Sequence, residues 1–425
     1  MQSRKTLRLT QVIHTFILIA VCLAAEIVAN AQITRDVGQI AVIEGDSEII
    51  STSPHCGQEV VNMQALSRKF HQTHPHGFHF LIMFSTFNQL LHPDANCREQ
   101  WGAFFMSVSN RTQGIGQNIF DSSVAYGSDK GILAGVINMN NLSNWQPDGG
   151  GVLSVLGQEV GHNWGAYVKF VGPGIGESYE LLGRDLAHWS FFLHAASATS
   201  SASRPEASSL EGNYWTETSP GIFRSSTITD GYSPLDLYLM GLLPADQVGP
   251  IWYIANPRDV MPERTKESGP AAGVQAAGAR TSITVQNIIA REGERIPGFG
   301  AAPKKFRQAF ILLTKPGEDV TQSQLDQIER YRVAWESYFA QKTQNRGWVS
   351  AKLDGVVYVD RANTGAEDGS RARPYNTVAE GIENSAPHGT LVIKAGAYAE
   401  GSLTFTRFNV PLTVRAEGGP VTIGR

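Results

Sequence analysis

The chain has 425 residues, of which 42% are apolar and 17% charged, with 43 glycines and a formal net charge of -4. That length allows two or three domains with sizeable cores, and the composition excludes bulk disorder. The weakly acidic balance gives no electrostatic footprint for nucleic acid.

The N-terminus has the order of a secretory signal: basic Arg4, Lys5 and Arg8, the apolar run "VIHTFILIAVCLAA", and a small-x-small site at Ala29–Ala31. The run is short and soon followed by Glu26, so a membrane span is not expected once residues 1–31 are removed. Removal takes away three basic residues and one acidic one, and the charge of -4 becomes -6. It also removes Cys22 and leaves Cys56 and Cys97, an even pair that an oxidising compartment can hold as a disulfide, or two buried thiols. The expected location is secreted, periplasmic or at the cell surface.

Residues 32–350 form the expected main domain. "VGQIAVIEG", "GFHFLIMFSTF" and "GILAGVINMNNL" are predicted strands, and "VVNMQALSRKF" has helical spacing. "VLSVLGQEVGHNWGAYVKF", residues 152–170, is a buried helix after the turn-forming "PDGGG". "GRDLAHWSFFL", from Gly183 to Leu193, is predicted as a second helix. "HAASATSSASRPEASSL" and "GPAAGVQAAGARTS" are predicted connections. "FRQAFILLT" is a strand, and "TQSQLDQIERYRVAWESYFAQKT" is a long helix behind an N-cap threonine. Strands followed by buried helices predict an α+β layered domain.

Composition changes near residue 354. Beyond it, "TLVIKAG", "SLTFTR", "PLTVRAEGG" and "PVTIG" are short strands at solenoid-like or sandwich-like spacing, so residues 355–425 are a separate module.

The chemistry concentrates in residues 152–170. Positions i and i+4 share a helix face, so Gln158 and His162 point the same way, with Glu159 beside them. Two ligands so spaced grip one zinc ion, and the adjacent carboxylate takes a proton from metal-activated water. Glu159 is therefore the expected general base and His162 an expected zinc ligand. Gln158 stands where a histidine is needed. Its neutral amide is a weak replacement ligand, and losing one strong ligand costs several of the about 10–16 kcal/mol that structural zinc sites reach. On its own, "ExxH" is equally a buried helix with a satisfied Glu–His pair.

"LSVLGQEVGHNWGAYVKF", "LLGRDLAHWSFFL" and "GYSPLDLYLMGLLPADQV" together resemble secreted bacterial zinc-metallopeptidase-like proteins, over roughly residues 33–260. The resemblance implies a zincin-like α+β fold, Glu159 as base and His162 as ligand. Metzincins place a further histidine where this chain has Val168. His188 is the first candidate for the remaining ligand and Asp236 the second, with Met240 in the position of a methionine turn. Simpler roles for these three are a hydrogen-bonded histidine, a helix cap and core packing.

"VYVD", "DGSRARPYNTVAEGIENS" and "GTLVIKAGAYAE" resemble the start of a right-handed parallel β-helix of the pectin-lyase type, with a capping helix at about Thr377–Ser385. The resemblance implies a structural or polysaccharide-facing tail, and a small β-sandwich appendage is the alternative. His71, His74, His76 and His79 form a His-rich tract, expected to be partly solvated rather than a metal site. Asn110 and Asn141 fit the glycosylation pattern, which matters little in a bacterial host.

The functional expectation is an exported peptidase-like protein, degenerate at Gln158, that holds polypeptide without cutting it. The alternatives are an active zinc endopeptidase working through Glu159 and a surface or carbohydrate-binding protein working through its tail.

Overall fold

The computed structural model describes residues 34–90, 97, 102–128, 131–172, 175–226, 228–367, 369–401 and 411–424. The signal-like segment and "SLTFTR" lie outside the described residues.

The central sheet is ordered Thr34–Val37, Ile40–Glu44, Lys305–Thr314, Phe80–Ser85, Gly135–Asn141 and Phe104–Ser107, with Trp348–Ser350 also pairing onto Lys305–Thr314. Its middle strands run parallel, and the two end strands run antiparallel to their neighbours. Lys305–Thr314 and Phe80–Ser85 are buried at every residue. That is why they read as continuous apolar runs: a parallel strand covered on both faces has no solvent side to encode.

Alternation along the strands splits the core in two. Ile40, Val42, Phe80, Ile82, Phe310 and Leu312 face the helices Val152–Gly161 and Gln322–Lys342. Ala41, Ile43, Leu81, Met83, Ile311 and Leu313 face the helix Met63–His71 through Leu66 and Phe70. The long helix begins with Thr321 and Gln324 in a capping box, and its Leu325, Ile328, Trp335 and Phe339 are buried.

A closed five-stranded barrel follows, ordered Trp189–His194, Glu211–Ser219, Ile222–Ser226, Gln275–Ile283 and Ile251–Met261. Phe191, Phe192, Trp215, Phe223, Trp252 and Ile254 fill it. This corrects two expectations. Gly183–Leu193 is not a helix: Arg184–Leu186 is a short 3-10 turn, and "WSFFLH" is a barrel strand. The connection expected through "GVQAAGARTS" contributes the strand Gln275–Ile283. Short apolar runs satisfy either period, and the barrel's need for closure decides them.

The expected α+β zincin-like class is therefore overturned. The described residues are mostly β, with 36% strand against 20% helix, in several small sheets and one barrel. The tail does not establish a β-helix either. Val356–Val359, Thr390–Tyr398 and Thr413–Ile423 make a three-stranded parallel sheet beside the helix Val378–Asn384, which is only a weak hint of coil stacking. Val357, Val359, Val378, Leu391, Ile393 and Tyr398 give it a core of its own.

Cys56 and Cys97 are joined by a disulfide, with Cα atoms 5.3 Å apart. Among the described residues no helix is long and apolar enough to cross a membrane.

Candidate functional site

The helix Val152–Gly161 is set by its glycines as much as by its apolar residues. A Cβ on Gly161 would stand 3.2 Å from Leu210 and 3.3 Å from the Tyr232 ring, so glycine lets the helix lie close against both. The Tyr232 hydroxyl donates to the Gly157 carbonyl at 2.8 Å. This packing fixes the helix rotation and carries Gln158, Glu159 and His162 to one place.

His162 follows the helix as its C-cap, and its Nδ1–H donates to the Gly165 carbonyl at 3.2 Å. His188 comes from the turn before the first barrel strand, and its Nδ1–H donates to the Arg184 carbonyl at 3.3 Å. Both imidazoles thus have the tautomer that leaves Nε2 with a lone pair. Their rings meet edge to face with centroids 4.8 Å apart. The sequence-predicted Gln158, His162 and His188 are brought together, while Glu159 meets the Phe105 backbone N–H and is linked to them through the charge of Arg184.

The lone pair of His188 is taken. Arg184 Nη2 donates to His188 Nε2 at 3.1 Å, and the Gln158 amide nitrogen donates to the same atom at 3.2 Å. Glu211, 7% exposed, holds the Arg184 guanidinium through Nε at 3.0 Å. A guanidinium therefore stands where a metal cation would have to approach.

Electrostatics follow from this. Burial, then the His188 and Arg184 charges, push His162 down to about 3. Burial and Arg184 take His188 down to about 4. Both are neutral at pH 7. Burial pushes the Glu159 carboxyl up to about 8, against the Phe105 backbone N–H and the Arg184 charge that favour its ionised form. Glu159 is thus protonated at neutral pH, unlike a general base poised to accept a proton.

A catalytic zinc ion needs three strong protein ligands and an open position. The residues present offer two imidazoles and an amide that presents its nitrogen, with a fixed guanidinium in front. Among the described residues no group of three His, Cys, Asp or Glu side chains is placed to hold a metal. The donor set does not fit zinc.

Asp236 lies elsewhere. It is 1% exposed, accepts from Trp189 Nε1 at 2.7 Å, and forms a capping box with Ser233 at the start of the helix Pro234–Leu239. Met240 ends that helix in the core. The His-rich tract does not converge: His74 Nε2 bonds Asp36 at 2.9 Å, His71 stacks on His76, and His79 Nδ1 accepts the Arg307 N–H at 3.1 Å. Asn110 and Asn141 are both buried, at 3% and 8% exposure.

Sequence reasoning missed Arg184, Glu211 and Phe105. Arg184 stands four residues before His188 in a segment expected to be helix. Glu211 comes from another strand and had no local signal.

No family model matches the chain, and no curated protein or solved structure matches it either.

Proposed function

We propose that the chain is an exported polypeptide-binding protein whose peptidase-like cluster no longer hydrolyses. The observation that carries this reading is the Arg184 guanidinium donating to His188 Nε2, clamped by Glu211. A cation fixed there opposes a second cation, and Gln158 supplies no anionic or imidazole ligand to offset it. Export is supported by the signal-like N-terminus and by the Cys56–Cys97 disulfide, a linkage favoured in oxidising compartments.

The binding surface in this reading is the strand Phe104–Ser107. It is the last strand of its sheet and half-buried along its length. It antiparallel-pairs Gly135–Asn141 on one side, and on the other the Phe105 N–H reaches Glu159. An extended polypeptide that adds to this edge runs directly past the Glu159–His188 cluster.

The test is to titrate the protein with extended peptides, then follow peptide mass for a day. The expected result is saturable binding, weakened by Ser107→Pro, with every peptide intact. Ser107 shares the outward parity of Phe105, so proline there removes an edge donor while sparing the ladder. Cleavage that a chelator abolishes overturns the reading.

A further inference from the structure

A cavity of about 240 Å³ lies where the C-terminal module meets the central sheet. Its walls include His79, Phe80, Trp164, Arg295, Phe306 and His388. None of Gln158, Glu159, Arg184 or His188 lines it, so it is separate from the cluster above.

The aromatic side is continuous. The Trp164 ring packs 5.9 Å from Phe80 and 5.2 Å from Phe306, centroid to centroid. His79 sits edge-on to Phe306, and because its Nδ1 accepts the Arg307 N–H, its proton is on Nε2. Arg111 also lines the cavity and is paired with Asp121 at 2.8 Å.

Arg295 is the unusual member. It is 6% exposed, and its donations go to two backbone carbonyls, those of Leu239, at 2.7 Å, and Pro297. Among the described residues no carboxylate pairs with it, and none lines the cavity. Gly241 makes room for it: with φ at +76° and a Cβ there only 2.7 Å from the guanidinium carbon, a larger residue would displace the arginine. A neighbouring cation adds to the positive field. Lys304, which donates to the Gly241 carbonyl, is pushed down to about 8 by burial and by Arg295.

A buried guanidinium without an acid is costly unless an anion completes it. Here it borders an aromatic space smaller than the ~300–1,000 Å³ of sites for drug-sized ligands. We propose that this cavity binds a carboxylate carried on one compact apolar group, with Arg295 as the anion's partner and Phe80, Trp164 and Phe306 against the apolar body. The carboxylate belongs either to a free aromatic or aliphatic acid or to the C-terminal residue of a polypeptide.

The experiment is calorimetric titration of the full chain with four probes: phenylacetate, phenylacetamide, acetyl-Ala-Ala-Phe with a free C-terminus, and its C-terminal amide. At least one acid is expected to bind roughly tenfold or more tighter than its amide, because only the ionised group meets the guanidinium. Binding of phenylacetate alone identifies a free acid as the ligand class, and binding of the tripeptide acid identifies a chain terminus. Arg295→Met, checked for folding by circular dichroism, is expected to remove the difference between acid and amide. Equal affinity for acid and amide in the unaltered protein, or no binding of either acid at millimolar concentration, overturns the proposal without any variant.

Discussion

Arg184 Nη2 lies 3.1 Å from His188 Nε2, and Glu211 accepts from the Nε and Nη2 of the same guanidinium. The imidazole best placed to complete a metal site is instead an acceptor for an arginine. Removing the clamp with Glu211→Gln should release Arg184 and weaken the His188 contact. The Arg184 side chain is 42% exposed, so the stability loss is discounted for solvent screening to about 1 kcal/mol or less, read by urea unfolding.

The Glu159 carboxyl gives a pH signature. Its folded value of about 8 lies above the ordinary 4.5, so between these the folded chain binds more protons than the unfolded one. Stability from this group therefore falls as pH rises across that window and levels off beyond it. Glu159→Gln should match the unaltered protein near pH 4 and exceed it at pH 9 by on the order of a few kcal/mol. Histidine contributions cancel in this comparison. Thermal melts of the two proteins across pH check it.

The histidines act with the opposite sign. His162 and His188 fold at about 3 and about 4, below the ordinary 6.5, so the unfolded chain binds more protons below that value. Their stability contribution is complete above pH 6.5 and is lost as pH falls toward 4 and 3. A His162→Gln, His188→Gln double variant should lose stability less steeply over pH 6.5 to 4 in denaturant titrations.

Much of this site was legible because a helix puts i and i+4 on one face. Gln158, Glu159 and His162 needed only that rule, and His188 needed the guess that a second segment approached. The central strands were equally legible, since "FLIMFS" and "QAFILLT" are buried on both faces. The barrel was not. "WSFFLH" fits helix and strand alike, and its strand state depends on pairing with Glu211–Ser219, a partner seventeen or more residues away in sequence. Arg184 was hidden by the same error, because its role exists only when the chain turns before that strand.

Asp236 separates a structural role from a ligand role. It accepts from Trp189 Nε1 and from the Ser233 backbone while buried. Asp236→Ala should cost about 2–4 kcal/mol through the orphaned indole and the lost cap. Asp236→Asn, which keeps an acceptor for Trp189, should cost less in chemical denaturation. Neither should change metal affinity.

Zinc content tests the central claim most directly. After dialysis against sub-micromolar zinc, elemental analysis of the purified protein should find far less than one equivalent. A Gln158→His, Arg184→Ala variant, with a third imidazole and no guanidinium, should take up zinc. One equivalent in the unaltered protein, lost on His162→Ala, would contradict the account.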